Sequence, residues 1–217
     1  MKQFISCLCD ICVPGQCVIC GVLIRTVQHG ICESCRTNIA TRRFSPLADD
    51  PYCVHIDRAL SFLVYDDAVK QVILSYKDRP VKQLALHFVN GMSSLVPSLG
   101  IVPDTVTFVP MTAAKRRKRG FNQAEHLARA IAVRNSIPCR SLLVRSYSGV
   151  DQKRLNRSQR RDNVRDLFHV NTRETVGGTV LVVDDVMTTG ATLNECAYVL
   201  KKNGAKHVFS LTIGRVA

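Results

Sequence analysis

The chain has 217 residues, 46% of them apolar, which supports one sizeable domain with a small appendage and argues against disorder as the default. No apolar run approaches the roughly 18 residues of a membrane span, so membrane insertion is not expected. Thirty Lys and Arg stand against 17 Asp and Glu, a net charge of +13, and the segment from Ala113 to Arg165 holds 15 basic and three acidic residues, +12 of that total. Scattered charge solubilises a surface; charge gathered in one quarter of a chain favours a polyanionic partner, either a multiply phosphorylated small molecule or nucleic acid.

The opening MKQFISCLCDIC is too short and too interrupted by cysteine for a secretory signal, so a cytoplasmic location is expected. Seven of the ten cysteines precede Arg36. Cys17-Val-Ile-Cys20 and Cys32-Glu-Ser-Cys35 are two C-x-x-C knuckles eleven residues apart, a spacing suited to tetrahedral thiolate zinc. Reduced cysteines or redox pairs are the other reading of the same pattern. Cys9-Asp-Ile-Cys12, with Cys7 beside it, leaves open a ligand swap or a second metal, whereas Cys53, Cys139 and Cys196 read as ordinary buried thiols. Residues 1–45 therefore form a cysteine-rich module too small to fold without its metal. Residues 46–58 read as a linker, and residues 59–217 as an α/β domain.

In that domain, Ala59 to Tyr65 is a predicted strand. Asp66 to Tyr76 and Val81 to Leu95 have helix-period apolar positions, broken by Asp78-Arg79-Pro80. Thr105 to Val109 is a strand, Ala124 to Arg134 a helix and Ser141 to Val144 a second strand. Gly149 to Arg165 is polar and basic, either a mobile loop or a solvated helix. Thr179 to Asp185 is a third strand, Ala191 to Asn203 a helix stopped by Gly204, and His207 to Ile213 a closing strand. Alternation of strand and helix predicts a doubly wound, mostly parallel sheet.

Val180 to Thr192, VLVVDDVMTTGAT, carries the densest chemistry. An apolar β-branched run reads as a strand buried on both faces, and Asp184 and Asp185 stand at its carboxyl end, where open α/β sheets bind ligands. The turn that follows opens a helix, so its free N–H groups and the hydroxyls of Thr188, Thr189 and Thr192 suit a phosphate. Gly190 permits close approach or a positive φ. The two acids can accept from vicinal hydroxyls or help to hold a divalent metal. An ordinary N-capped helix accounts for one Asp and one Thr, not for the whole string.

This stretch resembles the phosphoribosyl pyrophosphate motif of the type I phosphoribosyltransferases. The resemblance implies that Met187, Thr188, Thr189, Gly190, Ala191 and Thr192 hold the phosphate end of phosphoribosyl pyrophosphate and that Asp184 and Asp185 are the catalytic pair at the ribose hydroxyls. It further implies that Met111 and Thr112, with Lys77, meet the pyrophosphate together with magnesium.

KRRKRGFNQAEHLA, from Lys115, and QKRLNRSQRRDNVRDLF, from Gln152, resemble signatures of the ComF family, as does an N-terminal four-cysteine zinc module. That resemblance implies contacts by Lys115, Arg116, Arg117, Arg119, Asn122 and Gln123, and by Gln152, Arg154, Arg160 and Arg161 in a closing loop. It also implies a role in handling incoming single-stranded DNA during natural transformation, with a DNA-uptake helicase and recombination mediator proteins as partners. Two readings follow. One is a magnesium-dependent transferase that releases pyrophosphate to a nucleobase or amine acceptor, its basic residues stabilising the leaving group. The other is a nucleic-acid-handling module that binds single strands by phosphate contacts, with Phe121, Tyr147 and Phe168 as the few candidate stacking aromatics.

Overall fold

The computed structural model describes residues 15–17, 19–24, 31–41, 53–78, 82–146 and 167–216. Cys7, Cys9 and Cys12, most of the linker, and the basic stretch with Gln152, Arg154, Arg160 and Arg161 lie outside the described residues.

The elements are β1 (Gly15–Gln16), β2 (Leu23–Ile24), α1 (Glu33–Ala40), β3 (Arg58–Val64), α2 (Asp67–Asp78), α3 (Lys82–Ser93), β4 (Thr105–Phe108), α4 (Ala113–Arg119), α5 (Gln123–Arg134), β5 (Leu143–Arg145), β6 (Phe168–Val170), β7 (Gly178–Met187), α6 (Ala191–Lys202) and β8 (Ala205–Arg215). A short 3₁₀ turn, Val96–Leu99, precedes β4. The main sheet has the order β3-β8-β7-β4, and every neighbouring pair in it is parallel. β1 and β2 pair antiparallel within the cysteine-rich module.

The central strand β7 explains the two-layer build. Leu181 and Val183 enter one apolar cluster, with Leu127 and Ile131 of α5 and Phe88 of α3. Val180 and Val182 enter the other, with Leu193, Ala197 and Leu200 of α6. Alternate side chains of a strand point to opposite faces, so the unbroken apolar run is what a strand covered on both sides requires. Each such buried Leu or Val contributes roughly 1.5–3 kcal/mol relative to exposure. Cys17, Ile31 and Ile39 of the cysteine-rich module belong to the first cluster, so the module packs on the domain's core.

Two expectations change. The strand predicted at Ser141 to Val144 does not extend the main sheet: β5 pairs antiparallel with β6 in a separate two-stranded sheet. β4 instead has a single parallel bridge beyond it, Val106 to Cys139. The end of the expected linker is also part of the fold. Cys53 is buried, the N–H of His55 donates to Asn194 Oδ1 at 2.9 Å, and Asp57 accepts from the N–H of Val208 and from Lys201 Nζ.

Candidate functional site

β7 runs past the two acids to Met187, with Asp184 opposite Thr212 and Met187 opposite Arg215 on β8. Strand pairing thus holds the acids in place, and the chain then turns through Thr188 and Thr189 into α6. Gly190 caps α6 at φ 71°, the left-handed region that only glycine enters without strain. A side chain there has no room: an added Cβ lies against Cys53 Sγ and 2.8 Å from Met187 Cε. The turn bends back through Ala191 N–H donating to Thr189 Oγ1 at 3.4 Å. Asp184, Met187, Thr188, Thr189, Gly190, Ala191 and Thr192 line a shallow crevice of about 20 Å³.

The acids differ in surroundings. Asp184 Oδ1 accepts from the N–H of Asp185 at 2.9 Å. Burial, with the Asp185 charge beside it, pushes the Asp184 carboxyl up to about 8. Asp185 Oδ2 forms an ion pair with Lys77 Nζ at 2.7 Å, both side chains about one-fifth exposed. Lys77 lies in the last turn of α2, so the structure brings the acids of β7 and this predicted cation together. Arg145, at the end of β5, has its guanidinium 5.3 Å over the Phe168 ring. Burial lowers its pKa against the fields of Cys196 and Asp184; Arg145 stands outside any sequence motif, while Cys53, read from the sequence as an ordinary buried thiol, is buried and backs the turn at Gly190.

Met111 and Thr112 follow β4. Thr112 Oγ1 accepts from Lys115 N–H at 3.3 Å and caps α4, a helix ended by Gly120 at φ 82°. Lys115, Arg116, Arg117 and Arg119 lie on α4, which buries no residue. Asn122 and Gln123 are different. Both are buried. Asn122 donates to the Val109 carbonyl at 3.1 Å and caps α5, while Gln123 donates to the Lys77 carbonyl at 3.3 Å. Their amides therefore brace the ends of β4 and α2, because a buried amide must spend its donors on protein carbonyls.

Beneath α4 lies an open hollow of about 370 Å³ lined by Arg116, Gly120, Phe121, Asn122, Glu125, His126 and Arg129. His126 Nδ1 is 2.9 Å from the Tyr76 hydroxyl, and the two rings stack with centroids 6.3 Å apart. Phe121 meets His126 edge-on at 6.2 Å. Burial, then the Asp185 charge, raises the Tyr76 hydroxyl pKa, so it stays protonated. Tyr76 and His126 are 50 residues apart, and no local pattern links them.

Cys17, Cys20, Cys32 and Cys35 form a candidate metal centre, their Sγ atoms all within 4.8 Å of one another. Cys20 Sγ and Cys32 Sγ are 3.7 Å apart. Four thiolates about 2.3 Å from a tetrahedral ion are separated by roughly 3.8 Å, so the donor set fits such an ion. Cys32 also caps α1, accepting from Cys35 N–H at 3.4 Å. Although burial works against ionisation of Cys17, N–H donors from Cys20, Cys32 and Ile19 bring its thiol down to about 6. Burial and the neighbouring thiols raise Cys35. A cation is what lets four such sulfurs ionise together.

The phosphoribosyl transferase domain family matches residues 117–215. The DNA utilization protein YhgH of Escherichia coli O157:H7 is 31% identical over 90% of this chain and 95% of its own length. Competence protein F of Haemophilus influenzae is 24% identical, covering 89% and 93%, and competence protein ComFC of Bacillus subtilis is 23% identical, covering 99% and 96%. Among solved structures, the allosteric regulatory enzyme of purine biosynthesis aligns with 66% of this chain and 30% of its own at a TM-score of 0.44 and 21% identity. The fold rests instead on the domain match and the parallel sheet, which is that of a type I phosphoribosyltransferase. Near-full-length similarity to competence and DNA utilization proteins, over a phosphoribosyl transferase domain and a four-cysteine cluster, means that the chain belongs to the ComF family.

Proposed function

We propose that this chain binds phosphoribosyl pyrophosphate, or a sugar phosphate like it, with magnesium at the junction of β7 and α6, and that it handles single-stranded DNA in the cytoplasm during natural transformation. The observation that carries the reading is the juxtaposition of Asp184 and Asp185, the glycine-capped threonine turn, and Lys77 paired to Asp185. The turn's N–H groups and hydroxyls receive the 5-phosphate. The acids accept from the ribose hydroxyls, and Lys77 exchanges Asp185 for the pyrophosphate. Met111 and Thr112 stand at the head of α4 as further pyrophosphate contacts. Magnesium, when bound, supplies charge stabilisation to the pyrophosphate oxygens. Zinc fills the four-cysteine centre as a structural ion.

The names of the relatives and the excess of basic residues support the DNA role: α4 alone carries Lys115, Arg116, Arg117, Lys118 and Arg119 in seven residues. Arg154, Arg160, Arg161 and Gln152 belong to the same reading, as does docking to a DNA-uptake helicase or a recombination mediator. A second reading, transfer of the ribose phosphate to a nucleobase or amine, is favoured by Lys77, a cation placed to offset charge building on a leaving pyrophosphate.

Alanine at Asp184 and Asp185 separates the roles. The double variant loses phosphoribosyl pyrophosphate binding and keeps retention of single-stranded DNA, whereas alanine at Arg116 and Arg117 weakens DNA retention and flattens its salt dependence. Normal sugar phosphate binding by the aspartate variant would refute the site. Pyrophosphate release with nucleobases, amines or oligonucleotides decides for transfer, and its absence across that set decides for binding alone.

A further inference from the structure

The 370 Å³ hollow between α4 and α5 is of the size that small-molecule sites take. One wall is aromatic, made by Phe121 and by His126, whose ring is held by the Tyr76 hydroxyl. A carboxylate stands beside it. Glu125 is mostly buried, yet Arg129 reaches its Oε1 at 2.9 Å and Arg116 its Oε2 at 3.4 Å, so its charge is offset. A carboxylate has about four acceptor sites: Arg129 takes both on Oε1, through Nε at 3.1 Å and Nη2 at 2.9 Å, while Oε2 keeps capacity beyond its Arg116 contact. The two arginines are more than half exposed, and one of them, Arg116, belongs to the basic helix α4 at the hollow's edge.

An aromatic face, an acceptor at its edge and cations at the rim match a planar heterocycle with an exocyclic amino group attached to a phosphate chain. Bases stack on aromatic side chains, and carboxylates accept from the amino group of cytosine. We propose that this hollow is a nucleobase subsite: one base of a single strand inserts against Phe121 and His126, its amino group donates to Glu125, and α4 carries the flanking phosphates. This rests on the strand-handling role proposed above and assigns the place where a base is gripped. It also sets that base near the sugar phosphate site, because the residue after Tyr76 is Lys77, whose amine meets Asp185 and whose carbonyl is held by Gln123.

The test compares retention of oligodeoxycytidylate and of an abasic strand of equal length by the full-length, zinc-loaded protein. The subsite predicts at least roughly fivefold tighter binding of the base-bearing strand, from stacking of one base. Phe121→Leu keeps an apolar side chain and erases that preference while leaving abasic binding and the salt slope unchanged. Neutralising Arg117 and Lys118, which do not line the hollow, weakens both strands alike and lowers the salt slope by about 2. Equal binding of the two strands by the unaltered protein overturns the subsite, as does a preference that survives Phe121→Leu. If neither strand is retained, strand handling fails. The subsite is then decided by saturation-transfer NMR with cytidine 5′-monophosphate: saturation of the base protons that Phe121→Leu abolishes supports it for free nucleotides, and none overturns it.

Discussion

Gly190→Ala tests the phosphate turn through its backbone. Gly190 has φ 71°, where an alanine costs roughly 1–2 kcal/mol. The new Cβ also falls inside contact distance of Cys53 Sγ and 2.8 Å from Met187 Cε. The Met187 tip can move aside, but the Cys53 side chain is short and buried, so overpacking adds about 1–3 kcal/mol. The variant should lose about 2–5 kcal/mol, read as a lower denaturation midpoint at unchanged slope. Cys53→Gly removes the obstructing atom, so in the double variant the overpacking share returns as a favourable coupling of about 1–3 kcal/mol. The left-handed strain remains, so recovery is partial. A loss under about 1 kcal/mol, or strict additivity with Cys53→Gly, would refute the packing of residue 53 behind the turn.

Three other outcomes are expected. Cys17→Ser should drop bound zinc below one ion per chain, and because Cys32 belongs to the proposed metal centre and also caps α1, metal loss should reduce helical circular dichroism; full helicity after chelation would contradict this. Lys77→Met leaves the Asp185 carboxylate without its ion-pair partner in a mostly enclosed place, at a cost of about 1–2 kcal/mol in thermal or denaturant unfolding and with weaker pyrophosphate binding. Asp57 has its pKa lowered: burial opposes ionisation, but Lys201 and the Val208 N–H outweigh it. A carboxylate with a depressed folded pKa adds stability above its unfolded value of about 3.9 and loses it as pH falls through the folded value. Asp57→Asn should therefore flatten the acid limb of the stability profile below about pH 4; an unchanged acid limb would count against the anchor.

What could be read from the chain followed locality. Val180 to Thr192 is contiguous, so strand, acids and turn were readable together, and the two cysteine knuckles announced their own cluster. α4 was not anticipated because five successive basic residues give no apolar period, although Thr112 and Gly120, eight residues apart, mark its cap and stop. β6 is three residues long, too short for alternation to register, and its pairing with β5 places an expected strand of the main sheet in a separate two-stranded sheet. Asn122 and Gln123 stand in a basic motif and read as contact residues; that Asn122 caps α5 and that their amides hold the Val109 and Lys77 carbonyls is tertiary detail the motif does not carry. Lys77 with Asp185, and Tyr76 with His126, are tertiary pairings that no spacing reveals. Among the described residues no helix is long and apolar enough to cross a membrane, in keeping with the absence of a long apolar run.

The most direct test of the account is calorimetric titration of the zinc-loaded protein with phosphoribosyl pyrophosphate in the presence and absence of magnesium. One molecule bound per chain with magnesium, and no measurable heat when Asp184 and Asp185 are both asparagine, is the predicted result. Unchanged binding by that double variant would contradict it.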